Sequence, residues 1–290
     1  MTSLIVLWCA RLSWALLPLS AGEVLADALD SWSSSPALVA TILLWTAWVI
    51  GLVALFAPRP WGLTALRVVA PSAVILTVIS IPSTSAGSAI VAVASTLVAA
   101  CFALSTPVAQ AAGNALAYGD ETRFPLRIPT PLLLAPVPAA VVLIAAGIAL
   151  GPLLLADERV VIGAVALVVG FAVAAFLARS LHGLSRRWLV LVPAGVVVVD
   201  PLILADPALM RREDIVRLAG TEPGPRLADA LDLRLGSTGR SITILLRQPV
   251  AFGRRTGRTG ASIVATDAVV VAPVRQDALL AAASERRITT

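Results

Sequence analysis

Apolar runs about as long as a bilayer is thick recur through the first 178 of the 290 residues, and no other feature limits the fold so strongly. A helix needs roughly 20 apolar residues to cross the hydrocarbon core. Ala37–Ala57 is the clearest such run, bounded by Ser33-Ser34-Ser35-Pro36 and by Pro58-Arg59-Pro60. Runs at 63–81, 87–111, 131–156 and 160–178 follow, and an earlier, shorter one at 4–19 contains Arg11. Counting that first run as a span, the sequence predicts six transmembrane helices. A cleaved signal peptide is the alternative for 4–19, but no basic residue precedes its apolar stretch and Arg11 interrupts it.

Composition agrees. Hydrophobic residues make up 58% of the chain and charged ones 13%, with a mean hydropathy of +0.92. A soluble domain is nearer one quarter charged, so an ordinary globule, a disordered chain and a disulfide scaffold are all excluded. Cys9 and Cys101 both sit in apolar runs with no CxxC spacing, which predicts neither metal nor disulfide. The chain has no Lys, so all 22 basic residues are Arg.

Charge divides the chain in two. Residues 1–178 hold six Arg and seven acids, net −1; residues 179–290 hold sixteen Arg and ten acids, net +6. That shift predicts a membrane bundle over 1–180, a linker at 181–185 and a basic domain over 186–290. The basic loops are those carrying Arg59 and Arg67, Arg123 and Arg127, and Arg179, Arg186 and Arg187. They alternate with acidic or uncharged ones at 20–36, 82–86 and 157–159. The positive-inside rule then predicts a multi-pass plasma-membrane protein with both ends cytoplasmic. Five spans would move the N-terminus outside and leave the C-terminal domain inside.

Arg11 is expected at the inner interface, or paired across the bundle. Gly147 and Gly151, with Gly163 and Gly170 on the next span, allow close helix approach. Packing within the bundle is the expectation, and a homo-oligomer interface the alternative. No Asp, Glu or His lies inside spans two to six, which disfavours a proton-coupled carrier. Glu23, Asp27 and Asp30, spaced i, i+4, i+7, share a helix face. They form either an outward cation or partner site or the wet side of an interfacial helix. The segment 119–127 either docks on the basic domain or stays solvated.

From Trp188 onward the period becomes two. Trp188–Val192 and Val196–Asp200 read as strands joined by a three-residue loop, Pro193-Ala194-Gly195. Leu231–Leu235 alternates, turns at Gly236–Gly239, and leads into a strand at Ile242. Ser262–Ala265 and Ala268–Ala272 add one or two strands, and Gln276–Arg287 reads as a final helix. The expected fold class is therefore an α-helical membrane bundle plus a C-terminal antiparallel β domain capped by a helix.

The sharpest candidate site is Gly253-Arg254-Arg255-Thr256-Gly257-Arg258-Thr259-Gly260, expected as a loop between strands. Arg254, Arg255 and Arg258 suit anionic headgroups; a solvated loop obeying the positive-inside bias is the plainer reading. It lacks the GK[ST] ending of a nucleotide loop, and no aromatics interleave with its arginines, so neither ATP nor nucleic acid is expected. His182, the sole histidine, sits beside Ser180 and Ser185 and is expected as an interfacial polar residue rather than a metal ligand or a triad member. No cofactor and no catalytic residue are predicted.

Met210-Arg211-Arg212-Glu213-Asp214-Ile215-Val216-Arg217-Leu218 resembles the strand-turn segment of bacterial pleckstrin-homology-like (PH-like) domains, and strands ending in a helix over 186–288 are similar to that superfold. The resemblance implies a bent seven-stranded sheet that binds proteins or lipids. Gly119–Arg127 and Ser185-Arg186-Arg187-Trp188 resemble segments of uncharacterised polytopic membrane proteins of high-GC Gram-positive bacteria, which implies no activity. Two functions are therefore carried. One is a non-enzymatic membrane anchor for a PH-like module that binds a protein partner or anionic lipid. The alternative is a transporter or channel for a lipid-like solute. A polar midplane cavity would favour transport, and tight small-residue packing a scaffold.

Overall fold

The computed structural model describes residues 2–221, 230–257 and 260–289. The chain divides into two units: a helical one, Met1–Ala112 with Val137–His182, and a sheet one, Gly113–Pro136 with Gly183–Thr290.

Among the described residues of the chain, five helices are long and apolar enough to cross a membrane: α4 (Ser34–Phe56), α5 (Pro60–Ile79), α6 (Ala86–Ala103), α9 (Pro136–Ala156) and α10 (Val160–Ser185). The first apolar run is not one helix. It folds as α1 (Thr2–Ala15), α2 (Leu17–Ser20) and α3 (Gly22–Leu29). At about 1.5 Å per residue, the 14 residues of α1 reach about 21 Å, short of the roughly 30 Å core. Pro18 explains the break, since a helix proline has no N–H to donate and crowds the carbonyl four residues back. That carbonyl belongs to Trp14, and it instead accepts a hydrogen bond from Trp48 Nε1 at 3.0 Å. Trp14 Nε1 returns the bond to the Trp48 carbonyl at 2.9 Å. Trp14 is buried against Gly51, where a Cβ would strike its indole.

Arg11 donates from Nε to the Leu55 carbonyl at 3.2 Å, with its guanidinium over the rings of Trp8 and Phe56. Leu55 lies in the last turn of α4, where carbonyls lack helical partners. Arg11 thus pairs across the helices. At the other end of the same segment, Thr84 Oγ1 donates to Asp27 Oδ2 at 2.9 Å. Thr84 follows a 3-10 turn at Ile81–Ser83, after α5. The run at 87–111 also divides, into α6 and α7 (Thr106–Asn114), and the run at 131–156 into α8 (Thr130–Leu134) and α9. The last span continues as one helix through the expected linker to Ser185.

The glycines pack helix on helix. A Cβ on Gly147 would lie 2.5 Å from the Gly170 carbonyl oxygen, and one on Gly151 would lie 2.5 Å from Leu167 Cα. Packing between α9 and α10 is therefore what these positions do.

The sheet unit holds two four-stranded sheets among its described residues. The first, ordered β1-β2-β3-β4, is antiparallel throughout: β1 (Thr122–Pro125), β2 (Trp188–Val192), β3 (Gly195–Val199) and β4 (Ala208–Arg211). The second, ordered β5-β7-β8-β6, is mixed: β5 (Ile215–Gly220), β6 (Leu231–Asp232), β7 (Ile242–Thr256) and β8 (Gly260–Val271). Phe124, Leu189, Leu191, Val196 and Val198 of the first sheet share a buried core with Leu218, Ile242, Ile244, Phe252 and Val269 of the second. Leu279 and Ala283 of α11 (Gln276–Glu285) close it.

Three expectations need correction. Residues 113–136 belong to the sheet unit rather than to the bundle. Thr122–Pro125 pairs with β2, Arg127 N donates to the Ala272 carbonyl, and Val274 N donates to that of Pro125. The β2–β3 turn has two residues, because Gly195 already pairs with Val192. Leu231 and Asp232 do not hairpin onto β7; they run parallel to β8, and Leu233 N extends the ladder to Val270 O at 2.9 Å.

Candidate functional site

Arg254 and Arg255 lie in a strand near a ribbon end rather than in a loop. β7 and β8 pair twice, from Ile242 to Leu245 and again from Val250 to Thr256, with an irregular register between. β5 joins only the first stretch. The second stretch carries Arg254 opposite Ser262 and Arg255 opposite Ala261, turning at Gly257 with φ +73°. Adjacent strand residues face opposite ways, so Arg254 and Arg255 do not form one cluster. Arg258 lies outside the described residues. Arg255 Nε donates to the Leu204 carbonyl at 3.1 Å, and Arg255 N to that of Ile203 at 2.7 Å. Both arginines remain exposed, and so does Ile263, at 81%, on the face that Arg255 shares.

The members of the acidic trio differ in exposure. Glu23 and Asp30 are exposed, whereas Asp27 is half-buried and spends its carboxylate on Thr84. Among the described residues, no three His, Cys, Asp or Glu side chains gather where a metal ion would be held. His182 Nδ1 lies 2.9 Å from Thr64 Oγ1. Cys9 and Cys101 are free thiols.

Sequence reasoning missed a buried ion pair in the sheet unit. Arg187 and Asp200 form an ion pair whose side chains are 1% and 0% exposed. Arg187 Nε and Nη2 reach Asp200 Oδ2 at 2.9 and 2.8 Å. Nη1 donates to the Arg127 carbonyl and Nη2 to that of Leu233, both at 2.8 Å. Asp200 Oδ1 accepts Leu202 N at 3.1 Å. One guanidinium therefore ties together the 113–136 segment, the end of β3 and the extension of β6. Its only signal in the sequence was an Asp closing an apolar strand. Arg286 plays a similar part, donating to the carbonyls of Leu191 and Asp120 and to Thr122 Oγ1. Nearer the surface, Arg234 hydrogen-bonds Asp232 at 2.8 Å and holds that carboxyl below its ordinary range.

Several arginines that mark the basic loops are thus folding groups. Arg123 donates to Leu116 O and pairs with Glu121 at 3.0 Å, and Arg187 is buried. Compared with family models, curated proteins and solved structures, the chain matches none.

Proposed function

We propose that this chain is a non-enzymatic integral membrane protein whose helices anchor a basic, PH-like cytoplasmic module, and that the module binds anionic lipid headgroups through the end of the β7–β8 ribbon. The exposed Arg255 beside the exposed Ile263 on one face of the ribbon end, with the exposed Arg254 on the other, carries this reading. Cations next to an apolar side chain suit an anionic membrane surface, each cation contributing about 1 kcal/mol there. The PH-like identity has support in two sheets around one core closed by a C-terminal helix. β1, taken from the loop before α9, is one strand more than that superfold's seven. A protein partner is the other ligand this module would take.

The orientation has support from strand pairing. β1 and β2 share a sheet, and only α9 and α10 among the described spans separate them. Two crossings return the chain to the side it left, so the loop with Arg123 and Arg127 and the C-terminal domain share a side. The positive-inside rule makes it the cytoplasm. The N-terminal segment acts as a sixth, broken crossing, since Arg11 meets the end of α4 and Asp27 meets the turn after α5. A cytoplasm-active reporter is therefore expected to work at residue 290 and after Ala111 and to be silent after Ile81. Activity after Ile81 would overturn the topology.

Packing supports an anchor over a transporter: α9 and α10 touch backbone to backbone at Gly147 and Gly170. The headgroup reading is tested on the full-length protein purified in mild detergent, with co-purified phosphatidylglycerol counted by mass spectrometry. Changing Arg254, Arg255 and Arg258 together to Ala is expected to lower the retained anionic lipid at least threefold. Equal retention would sink the proposal, and a stoichiometric protein in its place would move the module to protein binding.

A further inference from the structure

The broken first crossing leaves a space inside the helical unit. A cavity of about 360 Å³ lies among α1–α3, α4 and α5, with Thr96 of α6 on its wall. Trp14, Leu17 and Pro18 bound it where the helix breaks, and Gly22, Ala26 and Leu29 of α3 continue that wall.

Its chemistry is more apolar than its residue types suggest. Four hydroxyls line it, and each donates to a carbonyl of its own helix: Thr41 to Ala37, Ser72 to Val68, Thr77 to Ala73 and Thr96 to Ala92, all at 2.8–2.9 Å. The indole N–H groups of Trp14 and Trp48 are spent on each other's carbonyls. No ionisable side chain lines the cavity. A polar solute would give up its water hydrogen bonds and gain little, and an apolar cavity does not hold water.

Shape and access select the occupant. On α4 the wall runs from Thr41 to Trp48, and on α5 from Val69 to Thr77, about 10–12 Å along each helix axis. The α5 stretch lies toward the end marked by the 3-10 turn at Ile81–Ser83, and the α4 stretch is centred on its helix. One leaflet contributes about 15 Å of hydrocarbon, so the cavity has the depth of a single leaflet. Trp45 and Leu76 line it and are also 51% and 42% exposed. It therefore opens sideways onto the apolar surface of the helices, where the neighbouring molecules are lipid chains.

We propose that this cavity is a binding site for one acyl chain of a membrane phospholipid, which enters laterally past Trp45 and Leu76 and packs against Trp14 and Trp48. The inference is independent of the headgroup reading, which concerns the sheet unit.

The test uses full-length protein in mild-detergent micelles and phosphatidylcholine carrying a diazirine midway along one acyl chain. After photolysis, labelled peptides are mapped by mass spectrometry. Labelling of the α3 and 69–77 peptides is expected to saturate near one chain per protein. Labelling around Val165 and Phe171, exposed positions of α10, is expected to rise in proportion to the probe. Ala73→Phe and Ala26→Phe, which fill the cavity, are each expected to cut the saturable labelling at least fivefold and to leave the α10 labelling unchanged. Proportional labelling at the cavity in the natural sequence would overturn the proposal without recourse to a variant. So would saturable labelling that both substitutions leave intact.

Discussion

Arg187→Ala is expected to unfold the sheet unit under conditions where the natural protein stands. The side chain is almost wholly buried and makes four directed contacts, two to Asp200 and two to backbone carbonyls. Removing it leaves a buried carboxylate without a counter-charge and takes a donor from two carbonyls, that of Leu233 and that of Arg127, which keeps only Ser237 Oγ at 3.3 Å. Breaking a buried pair from one side costs about 3–5 kcal/mol, a large share of the 5–15 kcal/mol that holds a typical domain. The measurement is hydrogen exchange and limited proteolysis of the full chain in detergent, read over 183–221 and 230–257. Asp200→Asn keeps the shape and loses the charge, so its effect should be smaller. Arg187→Met with Asp200→Leu should recover part of the loss, because no buried charge remains. It should not recover all of it, because the Arg127 and Leu233 carbonyls each stay short of the donor that Arg187 supplied. An Arg187→Ala protein within 1 kcal/mol of natural stability would mean that the network contributes little.

Gly147→Leu is expected to do comparable damage to the helical unit. Gly147 and Gly170 face each other, and a Cβ on the first would come within 2.5 Å of the carbonyl oxygen of the second. Ordinary overpacking costs about 1–3 kcal/mol because side chains rotate away. Here the obstacle is backbone, so the two helices must separate along their whole contact, taking Gly151 from Leu167 and Gly163 from Leu155. Association in the bilayer rests on such close packing rather than on hydrophobic burial, because lipid is as apolar as the helix surface. Gly87→Leu is the control, since its Cβ meets nothing closer than Ser85 Oγ at 4.0 Å. A cysteine pair across the α9–α10 contact should crosslink efficiently in the control and poorly with Gly147→Leu, alongside a lower Tm. Equal crosslinking would show that the two helices can move apart without loss.

Particular residues show where reading the chain succeeded and where it stopped. Ala37–Ala57 was legible as a span because a membrane-crossing helix must be apolar over a fixed length, which is a local property. The change to alternation at Trp188 marked a sheet for the same reason. The segment Met210–Leu218 was read, by resemblance, as a strand and a turn; it folds as the end of β4, a turn and the start of β5. The expected loop of arginines failed because Arg254 and Arg255 lie in strands whose pairing with β8 runs out to Thr256. Their Gly- and Thr-rich composition suggests a turn, and only the partner strand shows where that turn begins.

The amino-acid sequence by itself determined that the chain has membrane-length helices followed by a basic β domain, because hydrophobic length and period are set residue by residue against a uniform solvent. Tertiary structure decided the rest. It drew Thr122–Pro125 into the sheet, divided the first apolar run at Pro18 and gave the Trp14 carbonyl to Trp48, and buried Arg187 on Asp200. Each of these joins groups that sit apart in the chain, and alternation or apolarity tells a residue which way to face but not which partner it will meet.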